Sequence, residues 1–236
     1  ELKRYAHLGT GNYHRKNSLI YTDYSLLTAD ETLCADVHKV FQQITGMGKK
    51  IHPNLLIHAP FNLKKSLLKM IAEEAAAAEA GKEARIVAKL NALTDPEMIR
   101  ALYEASNAGV KVDLIVRGMC CLRPGIEGVS ENIRVVSIIG RFLEHSRVYY
   151  FKNSEQQLYC SSADWMERNL SNRIEVCFPI LKKKHQSRIL AEIEWHLEDE
   201  IQCWELGADG EYIKIQQAAA QEPTQGVQQR LLEKLA

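Results

Sequence analysis

His145 and Arg147 stand two positions apart in the run Phe142-Leu143-Glu144-His145-Ser146-Arg147-Val148-Tyr149-Tyr150-Phe151, and Tyr159-Cys160-Ser161-Ser162-Ala163-Asp164-Trp165 follows it. On a β-strand, residues i and i+2 share a face, so an imidazole and a fixed positive charge point the same way. Ser161 and Ser162, with an Asp behind them, end the second run. A proton-transferring ring, a cation and hydroxyl donors suit phosphoryl chemistry; the plainer alternative is a satisfied strand histidine beside a solvated arginine. A second group is Leu8-Gly9-Thr10-Gly11-Asn12. Its glycines let backbone N–H groups approach an anion, and Thr10 and Asn12 add side-chain donors, although a simple turn has the same composition. Lys89 and Asn91 end one apolar run, and Arg117 and Gly118 end another, Leu114-Ile115-Val116. Strand ends are where open α/β sheets place ligands. For Arg117 the competing reading is a buried structural ion pair.

These residues need a scaffold, and the pattern supplies one. Strands are expected at Lys3 to Leu8, Ile20 to Leu27, Leu55 to His58, Ala84 to Leu90, Lys111 to Val116, Ile133 to Ile138, Arg147 to Phe151, Gln157 to Ser161 and Ile174 to Ile180. Helices are expected at Asp30 to Ile44, Leu63 to Ala80, Pro96 to Asn107 and Lys182 to Ile201, where apolar residues recur at helical spacing. Asn62 and Asp95 read as N-caps, Pro96 as a first-turn proline, and Gly81 and Gly109 as terminators. Gly46-Met47-Gly48-Lys49-Lys50 reads as a flexible junction. The tail from Gln216 is Gln/Ala-rich, broken at Pro223, with a loosely attached helix at Val227 to Leu235. Strands alternating with helices argue for an α/β fold whose sheet has parallel components.

Composition narrows the class. Lys plus Arg and Asp plus Glu number 30 each, so no global positive field favours bulk nucleic-acid binding, and any polyanion site must be local. The most apolar stretch, Leu67 to Ala80, is interrupted by Lys69, Glu73, Glu74 and Glu79, which excludes a membrane-spanning segment. Six cysteines form no C-x-x-C pair, and Cys120-Cys121 is a strained disulfide candidate; they read as reduced packing residues of a cytoplasmic protein.

Several of these runs, taken in chain order, resemble a known family. They are Tyr5-Ala6-His7-Leu8-Gly9-Thr10-Gly11-Asn12, Leu19-Ile20-Tyr21-Thr22-Asp23-Tyr24-Ser25-Leu26-Leu27-Thr28, Leu114-Ile115-Val116-Arg117-Gly118-Met119-Cys120, Phe142 to Tyr149, Ser161-Ser162-Ala163-Asp164-Trp165-Met166 and Asn172-Arg173-Ile174-Glu175-Val176. Together they are similar to the carboxyl-terminal half of bacterial polyphosphate kinase, which has two phospholipase-D-like domains. The resemblance runs from residue 1 to about 205. It implies an α/β fold with a phospholipase-D-like mixed sheet flanked by helices, preceded by the C-terminal remnant of another such domain. The divisions it implies are 1–48 for that remnant, 49–205 for the second domain and 206–236 for a partly helical or loosely ordered tail.

The implied activity is reversible transfer of the terminal phosphate of ATP to inorganic polyphosphate, through a phosphohistidine. The family's phosphate-accepting histidine lies in an Ile-His-Ala-Lys motif, which occurs nowhere in these 236 residues. The resemblance therefore places the nucleophile upstream of Glu1 and implies that this chain is inactive alone; His7 matches a different position. His145 matches the second motif's histidine, Arg117 an arginine on nucleotide phosphates and Tyr21 a nucleotide-contacting tyrosine. Thr10, Asn12, Lys89, Asn91, Arg147, Ser161 and Ser162 join them on the strand-end argument alone. Where related phospholipase-D-type motifs pair histidine with lysine, this chain has Arg147, whose fork suits a polyanion and favours a kinase over a phosphodiesterase.

Magnesium is implied for the intact enzyme, with its ligands upstream and none assigned here. Polyphosphate would need a local cationic channel, drawn from Lys89, Arg117, Arg147, Arg168 and Arg173. The implied partners are ATP or ADP, polyphosphate, the upstream part of the same polypeptide and a second copy in a homo-oligomer. Neither nucleic acid nor a transmembrane segment is expected, and the location is cytoplasmic or peripheral to the membrane. The alternatives are a phospholipase-D-like phosphodiesterase or nuclease, and a non-catalytic module that grips nucleotide or polyphosphate.

Overall fold

The computed structural model describes residues 3–46, 53–215 and 225–235. Its centre is a mixed sheet whose described strands run β13-β12-β7-β6-β5-β9-β10-β11-β4. The strands are β4 (Ile57–Ala59), β5 (Arg85–Leu90), β6 (Lys111–Val116), β7 (Ile133–Ile138), β9 (Arg147–Phe151), β10 (Leu158–Ser161), β11 (Glu175–Pro179), β12 (Cys203–Leu206) and β13 (Tyr212–Lys214). The pairs β5–β6 and β6–β7 are parallel and the others antiparallel. This is the mixed α/β sheet expected of the sequence.

Alternation along the central strands explains why both faces are covered. Ile86, Ala88, Leu90, Val112, Leu114, Val116, Tyr149 and Phe151 join one buried cluster with Leu67 and Ile71 of α2 (Leu63–Glu79) and Leu102 of α3 (Pro96–Asn107). Val87, Ile115, Val136 and Val148, one residue out of step, join a second cluster with Ile189, Ile193 and Leu197 of α4 (Lys183–Leu197). That second cluster also takes in Leu8 from β1 (Ala6–Gly9) and Val40 from α1 (Glu31–Ile44), so the N-terminal segment packs on the α4 face.

Caps and terminators follow local chemistry. The Asp95 side chain accepts from the N–H groups of Glu97 and Met98 at 3.1 Å, and Asp30 does the same for Leu33 at 2.9 Å, each contributing about 1 kcal/mol to its helix. Gly81 and Gly109 adopt φ of +74° and +95°, the left-handed region that ends a helix cheaply only at glycine. Asn62 departs from expectation. Its Oδ1 accepts from the His58 N–H at 2.9 Å, so it closes the turn before α2 rather than capping the helix.

Other departures bear on the site. The single strand expected at Ile20 to Leu27 is two, β2 (Tyr21–Thr22) and β3 (Ser25–Thr28), with Asp23 and Tyr24 between them. β3 pairs with β1 in a separate antiparallel ribbon, and β2 pairs in parallel with β8 (Leu143–Glu144), a strand too short to read in sequence. α4 stops at Leu197, and β12 spans residue 205, pairing with β7 on one side and β13 on the other. α5 (Val227–Leu235) is not loosely attached: Val227 and Gln228 are buried, and Arg230 and Lys234 lie 3.8 and 4.3 Å from the ring centre of Trp195 on α4. Residues 47–50 of the expected junction and 216–223 of the tail lie outside the described residues. No described helix is long and apolar enough to cross a membrane.

Candidate functional site

His145 occupies the two-residue gap between β8 and β9, so it is not itself on a strand. The parallel pairing of β2 with β8 sets Tyr21 opposite Leu143 and Thr22 opposite Glu144, which brings Asp23 beside His145. The Asp23 oxygens lie 2.9 and 3.0 Å from Nδ1 of the imidazole. A carboxylate accepts and does not donate, so Nδ1 supplies the hydrogen and Nε2 is left to exchange a proton with a substrate. The Tyr21 ring packs on the imidazole with centroids 4.7 Å apart. Arg147 still meets His145 as its spacing implies: Nη1 lies 3.4 Å from Nδ1 and 3.3 Å from Nε2. Near-equal distances put the guanidinium beside the ring, not in line with either nitrogen.

The glycine-rich loop serves the carboxylate. Thr10 is buried; its Oγ1 donates to Asp23 Oδ1 at 2.7 Å and accepts from the Tyr24 N–H at 3.0 Å. A Cβ on Gly11 would sit 2.1 Å from Asp23 Oδ2, so glycine is needed there for room and not for an unusual φ. Thr10 is therefore withdrawn as a phosphate donor, its hydroxyl being committed to Asp23, while Asn12 is exposed and away from these contacts.

Arg147 is buried and forks onto Asp164, with Nε 3.2 Å from Oδ1 and Nη2 2.9 Å from Oδ2, while Nη1 donates to the Thr10 carbonyl at 2.8 Å. Its charge is answered within the protein. It clasps the N-terminal ribbon to the sheet and braces His145, which corrects its reading as a free polyanion fork. Asn91 is an adaptor: its amide donates to the His145 carbonyl at 3.1 Å, its Oδ1 accepts from Arg117 Nε at 3.1 Å, and its N–H donates to Asp164 at 2.7 Å. Arg117 is half-buried, and its Nη groups meet no acceptor among the described residues, so its charge faces the same end of the sheet as His145.

Lys89 requires the largest correction. It shares the α4 face with Val87, and its Nζ is buried 2.9 Å from Glu144 Oε2 and 2.6 Å from Ser146 Oγ. The same carboxylate oxygen meets Thr22 Oγ1 at 2.9 Å and His196 Nε2 at 3.3 Å; its partner oxygen accepts from the Gln228 amide at 2.8 Å. Burial would raise the Glu144 carboxyl, but the Lys89 ammonium and His196 outweigh it and hold the group well below the usual carboxylate range. Lys89 is spent on this hub and lines no channel.

Ser161 and Ser162 are also structural. Ser161 Oγ donates to the Val176 carbonyl at 3.0 Å and accepts from the Ala163 N–H, and Ser162 Oγ is paired with Glu175. Arg168 and Arg173 flank a π-helical turn (Arg168–Asn172) and are exposed. All six cysteines are free thiols, and burial pushes Cys160 up to about 12, which removes it as a nucleophile. Tyr21, Arg117, Asn91 and Arg147 thus gather at His145. Asp23, Glu144 and Gln228 escape the sequence reading, although Asp23 stands two positions from Tyr21 and could have been found from that spacing; Asp164, noted behind the serines, turns out to hold Arg147.

The family model described as polyphosphate kinase C-terminal domain 2 matches residues 56–226, and that described as polyphosphate kinase C-terminal domain 1 matches residues 1–50. A polyphosphate kinase of Pseudomonas aeruginosa is 61% identical over 237 residues, covering 100% of this chain and 34% of that protein. One from Xylella fastidiosa is 53% identical over 217 residues, or 91% of this chain and 31% of the relative. The crystal structure of polyphosphate kinase from Porphyromonas gingivalis matches with a TM-score of 0.92 and 34% identity, covering 98% of this chain and 35% of that one. Nuc from Salmonella typhimurium, a phospholipase D family member, matches with a TM-score of 0.45 and 15% identity over 64% of this chain and 96% of its own. The chain spans about a third of the length of the curated relatives it matches.

Proposed function

The chain belongs to the polyphosphate kinase family, and on that premise we propose that it is the C-terminal catalytic part of an enzyme that moves the terminal phosphate of ATP reversibly onto inorganic polyphosphate. The proposed intermediate is a phosphohistidine on a residue outside these 236 positions. A bond forms from that histidine's nitrogen to the γ-phosphorus as the bond from γ-phosphorus to the bridging oxygen of ADP breaks. A terminal oxygen of polyphosphate then attacks the same phosphorus and frees the histidine.

The observation that carries this reading is the orientation of His145. Asp23 fixes Nδ1, so Nε2 is presented to the reacting phosphate. In its imidazolium form the ring donates to the leaving oxygen, a general-acid contribution of about 10²–10⁴-fold. Arg117 reaches nucleotide phosphates with its unengaged Nη groups, and Tyr21 borders the nucleotide with its phenol or its ring. Among the described residues no group of three or more His, Cys, Asp and Glu gathers that could hold a metal. The nearest carboxylates, Asp23 and Glu144, are engaged by His145 and Lys89. With both carboxylates so engaged, we assign no magnesium ligand among the described residues and place the ion, in this reading, with the rest of the enzyme. ATP or ADP, polyphosphate and a second copy of the enzyme are the proposed partners, in the cytoplasm or at the inner surface of its membrane.

The test is His145→Ala in the kinase that contains this segment, with ATP-dependent chain elongation as readout. The expected loss in kcat is about 10²–10⁴-fold, and the isolated 236-residue chain is expected to make no polyphosphate. Unchanged kcat in the variant, or elongation by the isolated chain with a phosphohistidine mapped inside it, overturns the proposal.

A further inference from the structure

α5 begins at Val227, just past residue 226 where the matched family model ends, yet its second residue reaches the segment that leads into His145. The buried Gln228 side-chain amide gives both of its N–H donors and one acceptor lone pair to the segment before that histidine. Its Nε2 donates to the Phe142 carbonyl and to Glu144 Oε1, both at 2.8 Å, and its Oε1 accepts from the Phe142 N–H at 2.9 Å. A backbone N–H and C=O of one residue answered together is what a neighbouring strand would provide. β2 already occupies one edge of β8, so the side chain of Gln228 acts as the partner on the other.

The surroundings are built for this amide. A Cβ on Gly140 would fall 2.5 Å from Gln228 Oε1 and 2.2 Å from the Gln202 amide nitrogen, so any larger residue there would displace both. Outside the contact, α5 is pinned to α4 by the Arg230 and Lys234 cations stacked on Trp195, and the Val227 N–H is bonded to Asp199. The clamp and its anchor are separate, so the clamp can be removed while the helix stays docked.

We infer that Gln228 is a positioning residue for phosphoryl transfer: it holds Phe142 to Glu144 in register, and so keeps the His145 ring against Asp23. This rests on the reading of His145 as the assisting histidine. Gln228→Met keeps the size and helix preference of the side chain and removes all three hydrogen bonds. In the kinase that contains this segment, it is expected to lower kcat between tenfold and a hundredfold, the scale of a misplacement of about 1 Å, with KM for ATP changed less than twofold. In the 236-residue chain, the His145 imidazole resonances are expected to shift while the circular dichroism is retained. Gly140→Ala, which displaces the same amide from outside, is expected to give the same kcat loss and decides the matter should Gln228→Met fail to fold. Unchanged kcat, or kcat, KM and melting temperature failing together, overturns the inference. If His145→Ala is also without effect, the reading of His145 has failed instead; if His145→Ala is severe and Gln228→Met is silent, only the role of Gln228 has.

Discussion

Replacing Lys89 with methionine separates a structural lysine from a phosphate ligand. The Lys89 and Glu144 side chains are each 3% exposed and 2.9 Å apart. Removing one partner of such a pair leaves a buried carboxylate with only neutral donors and His196, at a cost of about 3–5 kcal/mol. Against a total stability of roughly 5–15 kcal/mol, that loss is large enough to read directly. The assay is urea unfolding of the 236-residue chain followed by circular dichroism, with the double variant Lys89→Met/Glu144→Gln alongside. Removing both charges is expected to restore most of the loss, because the penalty comes from the orphaned carboxylate and not from the missing attraction. The pH dependence has a definite sign. In the parent, Glu144 is held below the ordinary carboxylate range, so its stabilisation is present at neutral pH, survives into acid and is lost as pH falls through that depressed value. With Lys89 gone the carboxyl rises, and acid unfolding moves to higher pH. A loss under about 1 kcal/mol, together with weaker and salt-sensitive binding of ATP or polyphosphate, would refute the reasoning and return Lys89 to the substrate.

Two further outcomes are expected. Gly11→Ala would bring a methyl within 2.1 Å of Asp23 Oδ2, so the carboxylate must turn from His145; kcat of the whole kinase should fall about tenfold or more with little change in melting temperature, and an unaffected kcat would show that Asp23 does not orient the ring. Asp36 Oδ2 accepts from the N–H groups of Leu55, Asn54 and Leu56 at 2.7, 2.8 and 3.1 Å, and although burial acts to raise it, these bonds hold its carboxyl below the usual range. Asp36→Asn should lose roughly 2–3 kcal/mol at neutral pH. That difference should be constant above about pH 4 and should shrink as pH falls through the depressed value in the folded state; a difference that grows in acid contradicts the assignment.

How far the sequence reaches depends on which physics decides each element. β5, β6 and β7 are legible because four of the six residues in each are apolar and both faces are buried, and α3 is legible because Asp95-Pro96 caps it chemically. β8 and the break between β2 and β3 are illegible. They exist only because two segments about 120 residues apart pair, and no local preference of Leu143-Glu144 announces that pairing. His145, Arg147, Arg117 and Tyr21 lie at one end of the sheet; the family resemblance points to Tyr21, the strand-end argument to Arg147, and both to Arg117. Lys89 misleads because a strand-end lysine looks the same whether it faces a ligand or a buried glutamate on a separate ribbon. Gln228 is hidden for a similar reason, as a glutamine in a Gln-rich tail carries no mark of the strand it completes.

The joining of the N-terminal ribbon to the sheet sets a thermodynamic balance for the site. Bringing Asp23 to His145 closes a loop whose entropy, for a separation of 122 residues, costs about 4 kcal/mol. Polar bonds across the join include Thr22 to Glu144, Tyr24 to Glu192, His145 to Asp23, Arg147 to Thr10 and the Leu143 N–H to the Ile20 carbonyl. At about 1 kcal/mol net each, they offset that closure. Further stabilisation comes from Leu8 and Val40, buried against the α4 face, and from the partly buried Leu26. Residues 3–46 thus behave as a tethered ligand of the sheet, held in part by a greasy surface, and the Asp23–His145 pair is assembled only as firmly as that surface binds.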